Sequence, residues 1–164
     1  MIDLATVQIR PFETGDRNFI LSLIPRFIEK AMPPGRAPIQ VIAGIERPLL
    51  DFMEERPPIH ALLIAEHTTI ENKTQRLGFI YLQPQVDGFS RERHGHVSDI
   101  AITAEAEGSG LGRLLMAEAE LWARTKGYRF LTLNAFAANG AVRRWYEDQG
   151  YEPDMVRYFK PLTQ

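Results

Sequence analysis

The chain has 164 residues, no cysteine, and 19 basic against 21 acidic side chains, a formal net charge of −2. One domain spanning residues 1–164 is the expectation, since a chain near this length buries enough surface to fold without disulfides or metals. The absence of cysteine excludes disulfides, thiolate zinc sites, iron–sulfur ligation and a sulfur nucleophile. The balanced charge gives no broad basic face for nucleic acid. No apolar run approaches the roughly 20 residues of a membrane span, and no signal peptide is visible at the start, so the reading is no membrane, no nucleic acid and a cytoplasmic setting.

Ala5–Phe12 alternates and reads as a strand. Phe19, Ile20, Leu23, Ile24, Phe27 and Ile28 recur at helical spacing, and Pro33-Pro34-Gly35 closes that helix. Ile45–Glu55 reads as a second, shorter helix. Ile59–Glu66 and Leu77–Gln83 are apolar strands joined by the polar turn Thr68–Gln75, a hairpin. Pro84–Gly95 is a polar loop, and His96–Thr103 a strand on which His96, Ser98, Ile100 and Ile102 alternate onto one face, with Val97, Asp99 and Ala101 on the other.

A glycine-rich loop follows, then a long helix to Lys126 in which Glu120 and Arg124 form an i,i+4 pair. Arg129–Ala137 reads as another strand. Asn139 opens a short helix closed by Gly150, and Tyr151–Leu162 reads as a final strand. Strands outnumber crossovers, so the expected class is mixed α/β: a central mixed, largely antiparallel twisted sheet flanked by helices.

The most informative stretch is the strand, glycine loop and helix over Ile100–Leu115. Helix-start amides lack intrahelical partners, glycines let the backbone curl close to a ligand, and the helix dipole adds positive charge. Such a place suits a phosphate or diphosphate. The nucleotide-binding G-x-x-x-x-G-K-[ST] pattern is absent, and the dinucleotide pattern fails because Arg113 stands where its third glycine would be.

Glu107-Gly108-Ser109-Gly110-Leu111-Gly112, a few residues beyond an apolar strand, resembles the acyl-CoA loop of the GNAT superfamily of acetyl-CoA-dependent N-acetyltransferases, Arg/Gln-x-x-Gly-x-Gly/Ala. Asn139-Gly140-Ala141-Val142-Arg143-Arg144-Trp145-Tyr146-Glu147-Asp148-Gln149-Gly150-Tyr151 is similar to that family's later helix, with Val142 the one departure. Ile9-Arg10-Pro11 is similar to its first strand. Glu107 departs from the loop's first position, where a carboxylate aimed inward would repel phosphate.

The resemblance implies a donor, a site and a reaction. Acetyl-CoA would lie in a gap between the strands His96–Thr103 and Arg129–Ala137, its pantetheine arm pairing like an added strand along Ile100, Ala101 and Ile102. The backbone of Glu107, Gly108, Ser109, Gly110, Leu111 and Gly112 would hold the diphosphate, with Arg113 as a charged contact and Asn139 near the arm. Tyr146 would donate a proton to the departing thiolate. His96 is the first candidate for the base that deprotonates the amine, with Asp99, Glu66 and His60 as weaker alternatives. A backbone N–H near Ile102 would serve the oxyanion.

With no cysteine, direct transfer in a ternary complex is expected. The partner is an amine acceptor of small-molecule or protein origin, framed by Met32–Pro38 and Pro84–Gly95 with Arg36, Asp87, Phe89, Arg91 and Arg93. Homodimers are common in the family, but no stripe here marks an interface. No metal site is expected, because His94 and His96 lack a clear carboxylate partner. A non-catalytic acyl-CoA-binding regulatory module on the same fold is the alternative.

Overall fold

The computed structural model describes residues 2–69 and 71–162. Five strands form one sheet in chain order: β1 (Val7–Pro11), β2 (Ala61–Thr68), β3 (Thr74–Val86), β4 (Arg93–Ile102) and β5 (Leu131–Leu133). The first four pair antiparallel and only β4–β5 is parallel, joined by the crossover helix α3 (Leu111–Thr125). Helices α1 (Arg17–Leu23) and α2 (Pro38–Glu55) lie between β1 and β2 in the chain, and α4 (Gly140–Glu147) follows β5. The architecture is the expected mixed α/β sheet flanked by helices.

Two apolar clusters hold the layers together. On one face Leu77, Ile80, Leu82 and Val97 pack with Leu111, Leu115, Met116 and Ala119 of α3 and Tyr146 of α4. On the other, Leu62, Ile64, Phe79 and Tyr81 pack with Ile20 and Leu23 of α1 and Leu49 and Phe52 of α2. Beside the second cluster sits an ionic knot around one buried carboxylate. Asp16, 1% exposed, accepts from Arg10 at 2.7 and 3.0 Å, from Arg76 at 2.6 Å and from the Glu13 amide at 2.8 Å. Burial pushes its carboxyl up, but the hydrogen bonds from Arg10, Glu13 and Arg76 outweigh it and hold the pKa at about 2.

The departures from the sequence reading have local causes. The first helix becomes a 3-10 turn over Ile24–Ile28, because Pro25 brings no N–H to an α-helical bond. Helix α2 begins at Pro38, well before Ile45; proline suits the first helical position, and the Gln40 side chain accepts the Ala37 amide at 2.8 Å. The interior Pro48 hides that length in the sequence. The 84–95 loop shrinks to a tip held by Asp87, whose carboxylate accepts the Phe89 and Ser90 amides. The β2–β3 hairpin forms as expected, with Thr68 opposite Thr74; Ile70 of its turn lies outside the described residues.

Two expected strands fall short. Arg129–Ala137 yields only the three residues of β5. Tyr151–Leu162 is irregular, and Glu152–Leu162 is exposed throughout. A strand exists only where a neighbour takes up its N–H and C=O groups, and among the described residues β5 pairs with β4 alone.

Candidate functional site: a glycine loop at the mouth of a split sheet

Strand β4 pairs with β5 only through Gly95–Leu131, His96–Thr132 and Val97–Leu133. Beyond Val97 the strands part, and Ile100–Ile102 keep the β3 side of their pairing while nothing among the described residues pairs with the other. The open edge leads into a 3-10 turn, Ala104–Ala106, then the glycine loop, then α3.

The loop is wound so that alternate amides stay free. The Glu107 N–H donates to Ala104 O and the Ser109 N–H to Ala106 O, both at 3.2 Å. The Ser109 hydroxyl donates to Ala106 O at 2.7 Å and accepts the Leu111 amide at 3.2 Å. The backbone N–H groups of Gly108, Gly110, Gly112 and Arg113 have no partner among the described residues. Gly108 and Gly110 sit at φ +74° and +91°, a region that disfavours side chains, and a Cβ on Gly112 would stand 3.0 Å from Trp145. Around these amides lies a cavity of about 240 Å³ lined by Ile102, Ala106, Gly108, Gly110, Gly112, Arg113 and Trp145. Unpaired amides, a helix start and one exposed arginine make a donor-lined seat, an arrangement that favours an anion.

Glu107 is turned away from that seat. Its carboxylate accepts from Arg26 Nη2 and lies 3.5 Å from Lys30 Nζ. Its amide is taken by Ala104, so neither group of Glu107 faces the cavity, and the amides of Ser109 and Leu111 are likewise spoken for.

Tyr146 is 7% exposed, held edge-on between Trp145 and Tyr151 at centroid distances of 4.9 and 5.9 Å. Its hydroxyl has no hydrogen-bond partner among the described residues. Burial pushes its pKa up to about 12, so the phenol keeps its proton at neutral pH. Asn139 caps α4, its side-chain oxygen accepting the Val142 amide at 3.2 Å.

The face assignment on β4 is corrected by a bulge. Tyr81 faces Asp99 while its neighbour Leu82 faces Val97, so Ser98 is an extra residue on β4. One added residue inverts the alternation. Val97 therefore joins Ile100 and Ile102 on the α3 face, and a Cβ on Gly95 would meet Trp122 and Ala123 there. His96 and Asp99, expected on opposite faces, share the α1–α2 face with Tyr81 and Ala101.

Both are buried, at 6% and 9% exposure, with opposite consequences. His96 Nδ1 lies 2.8 Å from Thr132 Oγ1, which also meets His94 Nε2 at 3.1 Å. Burial, then the neighbouring His94, lower the His96 pKa to about 4, so it is neutral at pH 7. Asp99 has no side-chain partner among the described residues, and burial raises it to about 7. Nearby, the Tyr81 hydroxyl meets His60 Nδ1 at 2.8 Å, and burial followed by the Asp99, Asp51 and Glu55 charges raises it to about 12. Glu66 is committed to Arg10 at 2.8 Å. No cluster of three His, Asp or Glu side chains able to hold a metal occurs among the described residues.

The residues expected to frame the acceptor lie in two places. Asp87, Phe89, Arg91 and Arg93 sit at the β3–β4 tip, the far end of β4, roughly 30 Å of strand from its glycine end. Arg36 lies under the tail, its guanidinium 5.0 Å from the Phe159 ring. Sequence reasoning missed Arg26, Thr132 and the Ser98 bulge. Each acts through a partner distant in the chain, so no local pattern marks it.

The fold and loop thus define an open-sheet protein with a donor-lined cavity at a helix start beside a split between two parallel strands. Residues 29–151 match the model of the acetyltransferase (GNAT) family, and the chain belongs to that family. No curated protein matches it. Among solved structures it is similar to a Pyrococcus furiosus protein described by likeness as an acetyl transferase, at 20% identity and a TM-score of 0.73 over 95% of this chain and 99% of that one. It is also similar to a ribosomal-protein-alanine N-acetyltransferase from Brucella melitensis, at 18% identity and 0.63 over 95% and 99%. A third likeness is to the aminoglycoside acetyltransferase AAC(6')-Iy in complex with a CoA bisubstrate analogue, at 17% identity and 0.65 over 96% and 99%. These likenesses establish the fold.

Proposed function

We propose that the chain is an N-acetyltransferase that passes the acetyl group of acetyl-CoA directly to an amine within a ternary complex. Acetyl-CoA is the donor of the family, and the loop fits it: four unpaired amides around a cavity at the helix start, opening onto the free edge of β4. That coincidence of seat and open edge carries the reading. The diphosphate meets Gly108, Gly110, Gly112 and Arg113, and the pantetheine arm runs along Ile100–Ile102, adding itself as a strand.

The chemistry divides between the two faces of the sheet. The amine arrives as an ammonium and must lose a proton. Asp99, with a pKa of about 7 on the α1–α2 face, matches that task better than His96, whose ring is weakly basic and tied to Thr132. The free amine attacks the thioester carbon, a C–N bond forms and the C–S bond breaks. The thiolate takes its proton from the Tyr146 hydroxyl, held on the α3 face with no hydrogen-bond partner among the described residues, and the second proton of the attacking nitrogen, released as the amide forms, restores the phenol. With no cysteine in the chain, no sulfur-linked acyl-enzyme intervenes. The sequence reading places this activity in the cytoplasm; no described helix is long and apolar enough to cross a membrane.

The test is release of CoA thiol from acetyl-CoA across a panel of small amines, polyamines, aminoglycosides and peptide N-termini, with Tyr146→Phe as control. Amine-dependent release that falls at least tenfold in the variant supports the reading. Firm acetyl-CoA binding with no release for any amine would instead make the chain an acyl-CoA-binding module.

A further inference from the structure

Glu107 stands where the resembled loop carries arginine or glutamine, one residue from an amide meant for a diphosphate. A carboxylate there ought to weaken binding, yet the structure gives it an unusual environment. It accepts from Arg26 Nη2, and Lys30 Nζ stands 3.5 Å away. Arg26 comes from the 3-10 turn set by Pro25, far away in the chain, and that turn packs against β4. Its side chain is 20% exposed and its second arm reaches Glu29 at 3.7 Å. Ala106 and Gly108, on either side of Glu107, both line the cavity, and Glu107 does not.

We infer that Arg26, backed by Lys30, is a positioning residue that holds the Glu107 carboxylate out of the diphosphate seat. This rests on reading the loop as the acetyl-CoA site. The pair is partly exposed, so its worth to folding is small. Its consequence is electrostatic. Set free, a glutamate side chain can swing through its three rotatable bonds toward the adjoining amides and place a negative charge within roughly 7 Å of the diphosphate. At partial screening that repulsion weakens binding roughly five- to tenfold. The 3-10 turn, which belongs to the α1–α2 side of the sheet, thereby sets the charge of the cofactor loop.

Titration calorimetry with acetyl-CoA tests the inference on four full-length proteins: wild type, Arg26→Met/Lys30→Met, Glu107→Gln, and the three changes together. Arg26→Gln is run beside the first lesion as a gentler substitute, and thermal melts confirm that each protein folds. The cation-less protein should bind roughly five- to tenfold more weakly at low salt, and added salt should close the gap by screening the freed carboxylate. Glu107→Gln should stay within about twofold of wild type. The combined protein should recover to within about twofold. Unchanged affinity in the cation-less protein overturns the inference. So does a combined protein as weak as the cation-less one, since the cations would then touch the phosphates or shape the loop themselves. Failure of the wild type to bind acetyl-CoA refutes the site reading, and the inference with it.

Discussion

Replacing Asp99 with asparagine should separate catalysis from stability in a way few substitutions can. Asp99 is 9% exposed and has no side-chain partner among the described residues, and burial raises its pKa to about 7. In the unfolded chain an aspartate titrates near 3.9. The folded value lies above the unfolded one, so the favourable contribution is complete below about pH 4 and is lost as pH rises through 7. Between pH 5 and pH 8.5 the wild type loses the part of the shift from about 5 to about 7, roughly 2 units at 1.36 kcal/mol each, or about 3 kcal/mol. Asparagine does not titrate, and its own desolvation cost is the same at both pH values. The stability advantage of Asp99→Asn over wild type should therefore grow by about 3 kcal/mol across that range, or roughly 6–12 °C in melting temperature for a domain of this size. Acetyl transfer should fall by about two to four orders of magnitude in the same protein, and the wild-type kcat/KM should rise with unit slope up to about pH 7. Thermal melts at the two pH values and a pH profile of transfer are the assays. A melting-temperature difference that does not change with pH, or a variant that keeps its rate, would refute the assignment of Asp99 as a buried base.

Three further outcomes follow from other parts of the fold. Tyr146→Phe should lower kcat about a hundredfold and leave the acetyl-CoA dissociation constant within about twofold, because the hydroxyl acts only as the thiolate leaves. Gly110→Ala, at φ +91° with Leu4 3.1 Å from the added carbon, should cost about 1–2 kcal/mol in urea unfolding and weaken acetyl-CoA binding in calorimetry. Asp16→Asn should cost about 2–3 kcal/mol at pH 7, since it removes the buried charge that Arg10 and Arg76 share. The depressed pKa makes that contribution present above about pH 4 and lost as pH falls through 2, so the gap to wild type in acid unfolding should close there.

Legibility in the sequence followed the range of the interactions. The glycine loop and α4 were readable because each is a local backbone pattern: a turn that only glycine makes easily, and a helix with Asn139 as its cap and Tyr146 two turns on. The mixed sheet agrees with the reading from strand count and crossovers, and the parting of β4 and β5 after Val97 agrees with the gap that the resemblance implies. The faces of β4 were not readable, because the extra residue at Ser98 shows only in the register with Tyr81 and Leu82. That one residue puts Asp99 on the same face of the sheet as His96, and the proposed choice of base turns on it. Arg26 was invisible for a similar reason, since nothing near Pro25 announces a partner at Glu107. The unpaired tail marks the opposite limit: strand-like composition at Val156–Lys160 without a neighbour to complete it.

The central claim is direct acetyl transfer to an amine, and mass spectrometry of a reaction supplied with isotopically labelled acetyl-CoA tests it most directly. The account predicts labelled acetyl on the amine, one CoA released per acetyl moved, and an enzyme mass that stays unlabelled after denaturation. Label retained covalently on the protein, or CoA released with no acetylated amine, would contradict it.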